Sequence, residues 1–332
     1  MLTSAKVKKM ARALGADLCG IASMERFEGA PKQQDPRYIF PDAKACITLA
    51  FRIPRGYLRG IEEGTYFNAY TAMGYGGLNA IYMPVVMREI CCFIEDNGFE
   101  AAPVPNFYSG SSISFATQQY DPTRSRAVSP DKPSPDVLVD FRVAAFASGL
   151  GEFGWSKMFL TPEFGPMQRI VCILTDAPLA PDPIFTGKVC DRCKICVAQC
   201  TGCAISKDET ESITVAGHKV EWGKFDYIKC SVAYVGGLPE YNPFLQIGAD
   251  PEKYKDQYSG GAMLDKHMPY PVPFSRPAVE GARGCMRACY AHLEEKGLLK
   301  KHFVNRFRKR APWKLAGEAA ALPSDPFNVG KE

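Results

Sequence analysis

No uninterrupted apolar run in this chain approaches the length of about 20 residues that a membrane-crossing helix needs. The opening residues, Met-Leu-Thr-Ser-Ala-Lys, lead into a helical pattern without the apolar stretch of a signal peptide or a twin-arginine pair. A cytoplasmic setting is therefore expected, and a membrane is not. Net charge is also scarce: 40 Lys and Arg against 36 Asp and Glu leave +4 at pH 7, too little to argue for a polyanionic partner by itself. Histidine is limited to four residues. The lone Gly149-Leu150-Gly151 has no strand leading directly into it, which makes it a weak nucleotide signal. The remaining composition, 46% hydrophobic and 23% charged over 332 residues, suits a globular protein with one large core or two smaller ones.

Cysteine is what the chain has in excess, 13 residues in all. Five stand in one short run, at Cys190, Cys193, Cys196, Cys200 and Cys203, and Cys230, Cys285 and Cys289 follow. The first four obey the C-x2-C-x2-C-x3-C spacing of bacterial two-cluster ferredoxins, in which three thiolates hold corners of one [4Fe–4S] cube and the fourth serves a second cube. Two cubes need eight thiolates, and this region holds eight. The crossed pattern assigns Cys190, Cys193, Cys196 and Cys289 to the first cluster and Cys200, Cys203, Cys230 and Cys285 to the second. The second motif is irregular: Ala282 stands where a further cysteine would complete it, and Cys203 is the replacement. A zinc ribbon is the alternative, because C-x2-C pairs also make those, although a third cysteine so close is unusual for zinc. A disulfide framework suits neither the clustering nor a reducing compartment. Cys19, Cys46, Cys91, Cys92 and Cys172 lie in apolar surroundings and read as core thiols.

Helices and strands alternate over residues 1–180, which argues for an α/β layer structure. Ser4–Leu14 is amphipathic, with Val7, Met10, Ala11 and Leu14 on one face, and stops at Gly15. Strands are expected at 18–22, 45–53, 101–104 and 168–175, and helices at 81–97 and 139–148. Residues 106–136 read as a polar loop able to touch a flat ligand. Pro178, Pro181 and Pro183 mark a boundary. The expected division is a cofactor and substrate domain over 1–184, a two-cluster domain over 185–298 with weak strand and helix patterns, and a basic tail over 299–332. Residues 236–276 read as a long covering loop. Residues 300–314 carry seven cations and no acid. A solvated helix face or frayed tail is the plain reading, with docking of an acidic electron donor or contact with RNA phosphates as alternatives.

Ala144-Ala145-Phe146-Ala147-Ser148-Gly149-Leu150-Gly151-Glu152-Phe153-Gly154, then Phe159-Leu160-Thr161-Pro162-Glu163-Phe164-Gly165-Pro166, then Thr175-Asp176-Ala177-Pro178-Leu179 and the cysteine run, stand in an order that closely resembles the reductive dehalogenase and epoxyqueuosine reductase superfamily. The match runs from about residue 139 to 203 and loosely on to Cys289. The resemblance implies an α+β chain, a nitroreductase-like α/β domain followed by a bacterial two-[4Fe–4S] ferredoxin-like domain. It also implies base-off cobalamin beneath a small organic substrate, single electrons relayed to the cobalt, and an acid that donates a proton. A low-potential donor such as ferredoxin or flavodoxin would supply the electrons. A flavin-type reductase or a corrinoid-free electron carrier of the same architecture is the alternative.

Gly149, Leu150, Gly151, Phe164 and Gly165 are the candidates to approach a corrinoid, and Tyr108, Tyr120 and Lys157 the candidates for proton donation. A tyrosine is a competent acid when a nearby cation stabilises its anion. The relatives place a basic residue where Trp155 stands, with Lys157 two positions on, and Asp136 and Asp140 lie where a reductase acid is sought. Asp265-Lys266-His267 approaches a cobalt-ligating Asp-x-His-x-x-Gly pattern but lacks its glycine and reads as coincidence.

Overall fold

The computed structural model describes residues 1–106, 111–113, 119–234, 238–243, 284–313 and 315. Four segments rich in β-branched and aliphatic residues build its main sheet: β1 (Leu18–Ser23), β2 (Ala45–Arg52), β3 (Ala101–Val104) and, later in the chain, β6 (Gln168–Thr175). All neighbours run antiparallel in the order β1-β2-β6-β3.

Side chains alternate across a strand, and β2 shows the consequence. Ile47, Leu49 and Phe51 face one layer, with Val7 and Ala11 of α1 (Ser4–Ala13) and Met83, Val86, Met87, Ile90 and Ile94 of α3 (Met83–Glu95). Cys46 and Ala50 face the opposite layer, with Ala144, Ala145 and Phe146 of α4 (Phe141–Ala147). Thr48 on that second face bonds the Ser148 hydroxyl at 2.8 Å and donates to the Ala144 carbonyl at 3.2 Å, so α4 is tied to the sheet through a buried polar contact. Each fully buried Ile or Leu contributes about 1.5–3 kcal/mol, so the two faces together dominate the stability of this half.

The expected strands and helices of residues 1–180 are present within a residue or two, with two differences. A short helix, α2 (Arg59–Glu63), precedes α3, and a wide π-type helix over Tyr70–Tyr82 leads directly into it. An 18-residue window of the joined, 26-residue Tyr70–Glu95 stretch has a mean hydropathy of 1.4, so among the described residues one helix is long and apolar enough to cross a membrane. Glycines and tyrosines interrupt its apolar character in sequence, which hid it, and α3 spends its apolar face on the core.

A further departure from expectation lies beyond residue 185. Ile205–Val215 (β7) and His218–Phe225 (β8) form a long hairpin, where weak patterning was expected. Its Val215, Val220 and Trp222 join Phe153 and Phe159 on the α4 side of the main sheet, and Trp222 stacks on Phe153 at 5.2 Å. Phe153 and Phe159 belong to a two-stranded ribbon, β4 (Glu152–Phe153) and β5 (Phe159–Leu160). Three helices complete the second part: α5 (Ile195–Ala198), α6 (Tyr227–Tyr234) and α7 (Cys285–Glu295).

Residues 299–313 contain no helix. They lie back along α2 and α7: Phe307 is fully buried, the Trp313 indole donates to the Ile61 carbonyl at 2.7 Å, and Arg308 reaches the Glu62 carboxylate at 2.6 Å. Lys300, Arg306 and Arg310 likewise meet Glu163, Glu295 and Glu63. Much of the basic charge of this segment is thus answered by acids of the same chain. Among the five core thiols, Cys19, Cys46, Cys91 and Cys172 are buried and Cys92 is partly so. Burial pushes Cys19 and Cys91 up to about 12, as expected of inert sulfur.

Candidate functional site

Glu152, on the short β4 strand, is where the cysteine run is first held. Its carboxylate accepts the backbone N–H of Val189 and, at 2.7 Å, that of Cys190. Asp191 then accepts the Cys193 N–H at 3.1 Å. Arg192 and Lys194 adopt positive φ of 60° and 59°, a costly conformation outside glycine that turns the chain twice between cysteines. α5 follows and packs against α7, which brings Cys289 from a remote part of the chain. Cys190, Cys193, Cys196 and Cys289 consequently line one small cavity, walled by Trp155, Leu293 and His292.

The sulfurs sense one another. Burial first, then the neighbouring cysteines, push Cys196 up to about 12 and Cys289 well above the usual thiol value, and burial raises Cys193. His292 Nε2 lies 2.7 Å from Asp191 Oδ2, and the donor atoms of Asp191, Cys193 and His292 fall within 4.8 Å of one another. Trp155 is clamped over this cavity. Its indole N–H donates to the Ser206 carbonyl at 2.9 Å, and Lys194 and Arg192 lie 4.5 and 5.4 Å from its ring centroid.

Of the other four cysteines, Cys200 and Cys203 follow α5, Cys230 lies on α6 and Cys285 begins α7. The Cys200–Cys203 turn is closed by the Cys203 N–H to the Cys200 carbonyl at 3.0 Å, and Ala204 donates to the Cys200 sulfur at 3.4 Å. A side chain at Gly202 would strike the Lys229 carbonyl and Ala233, so the turn rests on α6, the helix that carries Cys230. Cys285 starts α7, lies 3.9 Å from the Met158 sulfur, and shares with Cys200 the apolar cluster around Trp155, Cys196 and Ile205. Two buried polar atoms here, Thr201 Oγ1 and the Tyr234 hydroxyl, make no hydrogen bond.

A cavity of about 1310 Å³ opens between the β1–β2 connection, α4 and the β7–β8 hairpin. Phe27, Val139, Val143, Ile184 and Trp222 give it an apolar wall, and Asp140, Lys157, His218 and Tyr227 its polar groups. Lys157, held at φ 61°, hydrogen-bonds the Tyr227 hydroxyl and lies 4.5 Å from the Trp222 ring centroid. Burial lowers the Lys157 pKa and pushes Tyr227 up to about 12. The Asp140 carboxylate also caps α4 through the Arg142 N–H at 2.8 Å.

Of the expected proton donors, Lys157 is therefore on the cavity wall. Tyr120 is 59% exposed, in an isolated bridge to Ile113, and Tyr108 lies outside the described residues, as do Ala282, Asp265 and His267. Gly149, Leu150, Gly151, Phe164 and Gly165 do not line the cavity. A side chain at Gly149 would run into the Pro183 carbonyl, one at Gly151 into the Leu160 carbonyl, and one at Gly165 would press on Leu293 of α7. Their freedom serves chain-to-chain packing in this structure. Sequence reasoning missed Tyr227 and Trp222, although the alternation of Val220 and Trp222 on β8 was the available signal.

No family model matches this chain. It is 27% identical over 274 residues to the tetrachloroethene reductive dehalogenase of Sulfurospirillum multivorans, over 73% of this chain and 48% of that protein. It is 25% identical over 235 residues to the corresponding enzyme of Dehalobacter restrictus, over 63% of this chain and 40% of that protein. The chain thus spans less than half the length of these curated relatives. Among solved structures, a catabolic reductive dehalogenase matches with a TM-score of 0.50 at 18% identity, over 95% of this chain and 41% of that one, which speaks for the fold alone. Epoxyqueuosine reductase from Streptococcus thermophilus gives a TM-score of 0.42 at 14% identity, over 64% of this chain and 55% of that one, too low to carry an argument. The resemblance to the reductive dehalogenases is borne out by these relatives.

Proposed function

We propose that this chain, related to the reductive dehalogenases, is an iron–sulfur oxidoreductase that passes single electrons through two [4Fe–4S] clusters to a corrinoid, at which a small organic substrate is reduced. One observation carries the reading: Cys190, Cys193, Cys196 and Cys289, far apart in sequence, line a single cavity. The residues fit the clusters on two further grounds. Thiols that raise one another's pKa are sulfurs facing a common point, where a metal centre would hold them as thiolates. Thr201 Oγ1 and the Tyr234 hydroxyl are buried donors without a partner, of the kind that cluster sulfurs accept from. Cys200, Cys203, Cys230 and Cys285 would hold the second cluster.

The cavity fits a large flat cofactor with a substrate above it, because about 1310 Å³ exceeds the roughly 300–1,000 Å³ of ordinary ligand pockets. Phe27, Val139, Val143, Ile184 and Trp222 would hold the ring by apolar contact. The corrinoid supplies, when bound, a metal centre that accepts electrons one at a time. The chain supplies the proton. Lys157 and Tyr227 share a hydrogen bond on the cavity wall; with the lysine nitrogen as donor, the phenolic proton stays free to leave and the ammonium stabilises the phenolate. Trp222 and Phe153 wall the pair off from the sheet.

On this reading residues 1–184 are the nitroreductase-like domain, residues 185–298 the ferredoxin-like domain, and a ferredoxin or flavodoxin is the electron donor. Anaerobic reconstitution followed by iron, sulfide and corrinoid analysis tests it. About eight irons and eight sulfides per chain with one corrinoid are expected. Two cubes without corrinoid would favour the corrinoid-free alternatives, and one zinc without sulfide would end the redox reading.

A further inference from the structure

Arg169 is the second residue of β6, and its side chain reaches to the π-type helix. Its guanidinium donates to the Tyr70 hydroxyl at 2.7 Å and to the Gly74 carbonyl at 3.3 Å, and lies 4.5 Å from the Tyr75 ring centroid. Tyr75 packs against Tyr234 at 6.1 Å. Tyr70 is 2% exposed, and burial keeps its phenol neutral by raising its pKa. No carboxylate among the described residues forms an ion pair with Arg169. The cage therefore holds a positive charge that its immediate partners do not cancel.

The cage borders the second set of cysteines. Tyr234 stands one helical turn after Cys230 on α6, and its buried hydroxyl lies beside the Arg169 guanidinium, which can only donate to the phenolic oxygen and so leaves the phenolic proton uncommitted. Tyr70 is near enough to Cys285 for that sulfur's charge to act on it. Thr201, with its own uncommitted hydroxyl, is flanked by Cys200 and Cys203. The first set differs in that carboxylates stand directly against it: Glu152 and Asp191 accept from the backbone of Cys190 and Cys193, while its cations Arg192 and Lys194 lie over the Trp155 ring and Arg192 donates to the Glu221 carbonyl at 3.0 Å.

A [4Fe–4S] core of charge 2+ with four thiolates carries a net charge of −2. It takes one electron from the donor and becomes −3, with no proton moved. A nearby fixed cation and hydrogen bonds to sulfur both favour the more negative state, and so raise the reduction potential. We propose that Arg169, in its tyrosine cage, together with the hydroxyls of Tyr234 and Thr201, makes the cluster held by Cys200, Cys203, Cys230 and Cys285 the higher-potential one of the pair. This rests on the two-cluster reading. It assigns Arg169 as a positioning charge outside the coordination sphere, and it gives electrons arriving from outside a downhill step onto that cluster.

The test is a potentiometric titration of the reconstituted full chain with dithionite and mediators, followed by the electron paramagnetic resonance of the reduced clusters. Iron and sulfide content is measured first; if the wild-type chain lacks two cubes, the two-cluster reading itself is at fault. With both cubes present, two reduction steps are expected. R169Q should move the more positive step to lower potential and leave the other in place, while R169K, which keeps the charge, should hold both. Y234F and T201V, which remove only a hydroxyl or replace it with a methyl, should each shift the same step in the same direction by less. Unmoved steps in R169Q, equal movement of both, or a shift in R169K as large as in R169Q would overturn the proposal. Should R169Q fail to retain iron, Y234F decides: a shift of the upper step alone supports the assignment, and no shift refutes it.

Discussion

Glu62 is the place where one substitution should separate the two halves of the molecule. Its carboxylate is 3% exposed and meets Arg287, 1% exposed, and Arg308, 20% exposed. Arg287 lies on α7 between Cys285 and Cys289, Arg308 lies in the returning segment, and Glu62 lies on α2. At the 2.6 Å of the Arg308 contact, an effective dielectric constant of about 20 puts each Coulomb attraction near 6 kcal/mol before desolvation. Desolvation removes most of that from the net value of the triad, but breaking such a pair leaves a buried charge uncompensated, at a cost of about 3–5 kcal/mol. E62Q should therefore lose about 3 kcal/mol or more in urea denaturation followed by far-ultraviolet circular dichroism. The loss should fall on α7 first, so that iron retention drops at denaturant concentrations where β-sheet signal persists. The double variant E62L/R287M should recover most of the loss, because it removes the two deeply buried charges and leaves only Arg308, which is 20% exposed and can reach solvent. A midpoint for E62Q corresponding to less than about 0.5 kcal/mol, the range of an ordinary surface change, would show that the triad is not desolvated as described.

Three further outcomes follow from the same geometry. C289S and C190S should each cut iron content by about half, whereas C19S should leave it unchanged, since only the first two residues belong to a proposed cluster; equal iron in C289S and wild type would break the assignment. Lys157 has its folded pKa lowered by burial, so between that value and the usual lysine value of about 10.4 the unfolded chain binds the extra proton, and stability rises with pH through this interval. Wild type should therefore gain on K157M as pH rises from about 8 to about 11, and a flat difference curve in chemical denaturation would contradict the burial of that ammonium. G149A should cost clearly more than the ~1 kcal/mol of a left-handed alanine, because it adds a clash with Pro183 to a φ of 72°, while G29A, at φ 81° with open space around it, should cost only the backbone strain. Similar melting temperatures for the two would mean that the Gly149 turn does not pack as described.

Local periodicity made the first half legible. β2 and β6 could be read from their aliphatic runs, and α4 from its helical spacing, because each is decided by the faces its own residues present. The β7–β8 hairpin was not legible: its outward side chains, Lys207, Asp208, Glu209 and Glu211 among them, dilute the apolar signal, and only packing on Phe153 shows which side is inner. The motif from Cys190 to Cys203 was legible for the reason α4 was, since its chemistry depends on short, fixed gaps.

The sequence by itself determined that a set of closely spaced sulfurs exists here, and roughly which layers surround it, because those properties reside in neighbours along the chain. The crossed cysteine pattern already grouped Cys289 with Cys190, and the fold brings both to one cavity, whereas tertiary structure alone decided that Lys157 meets Tyr227 on a cavity wall and that Arg169 is caged by Tyr70 and Tyr75. Each of those pairings joins residues whose separation carries no periodic signal. Their approach is set by how α7, the hairpin and the π-type helix pack, and packing is a property of whole surfaces.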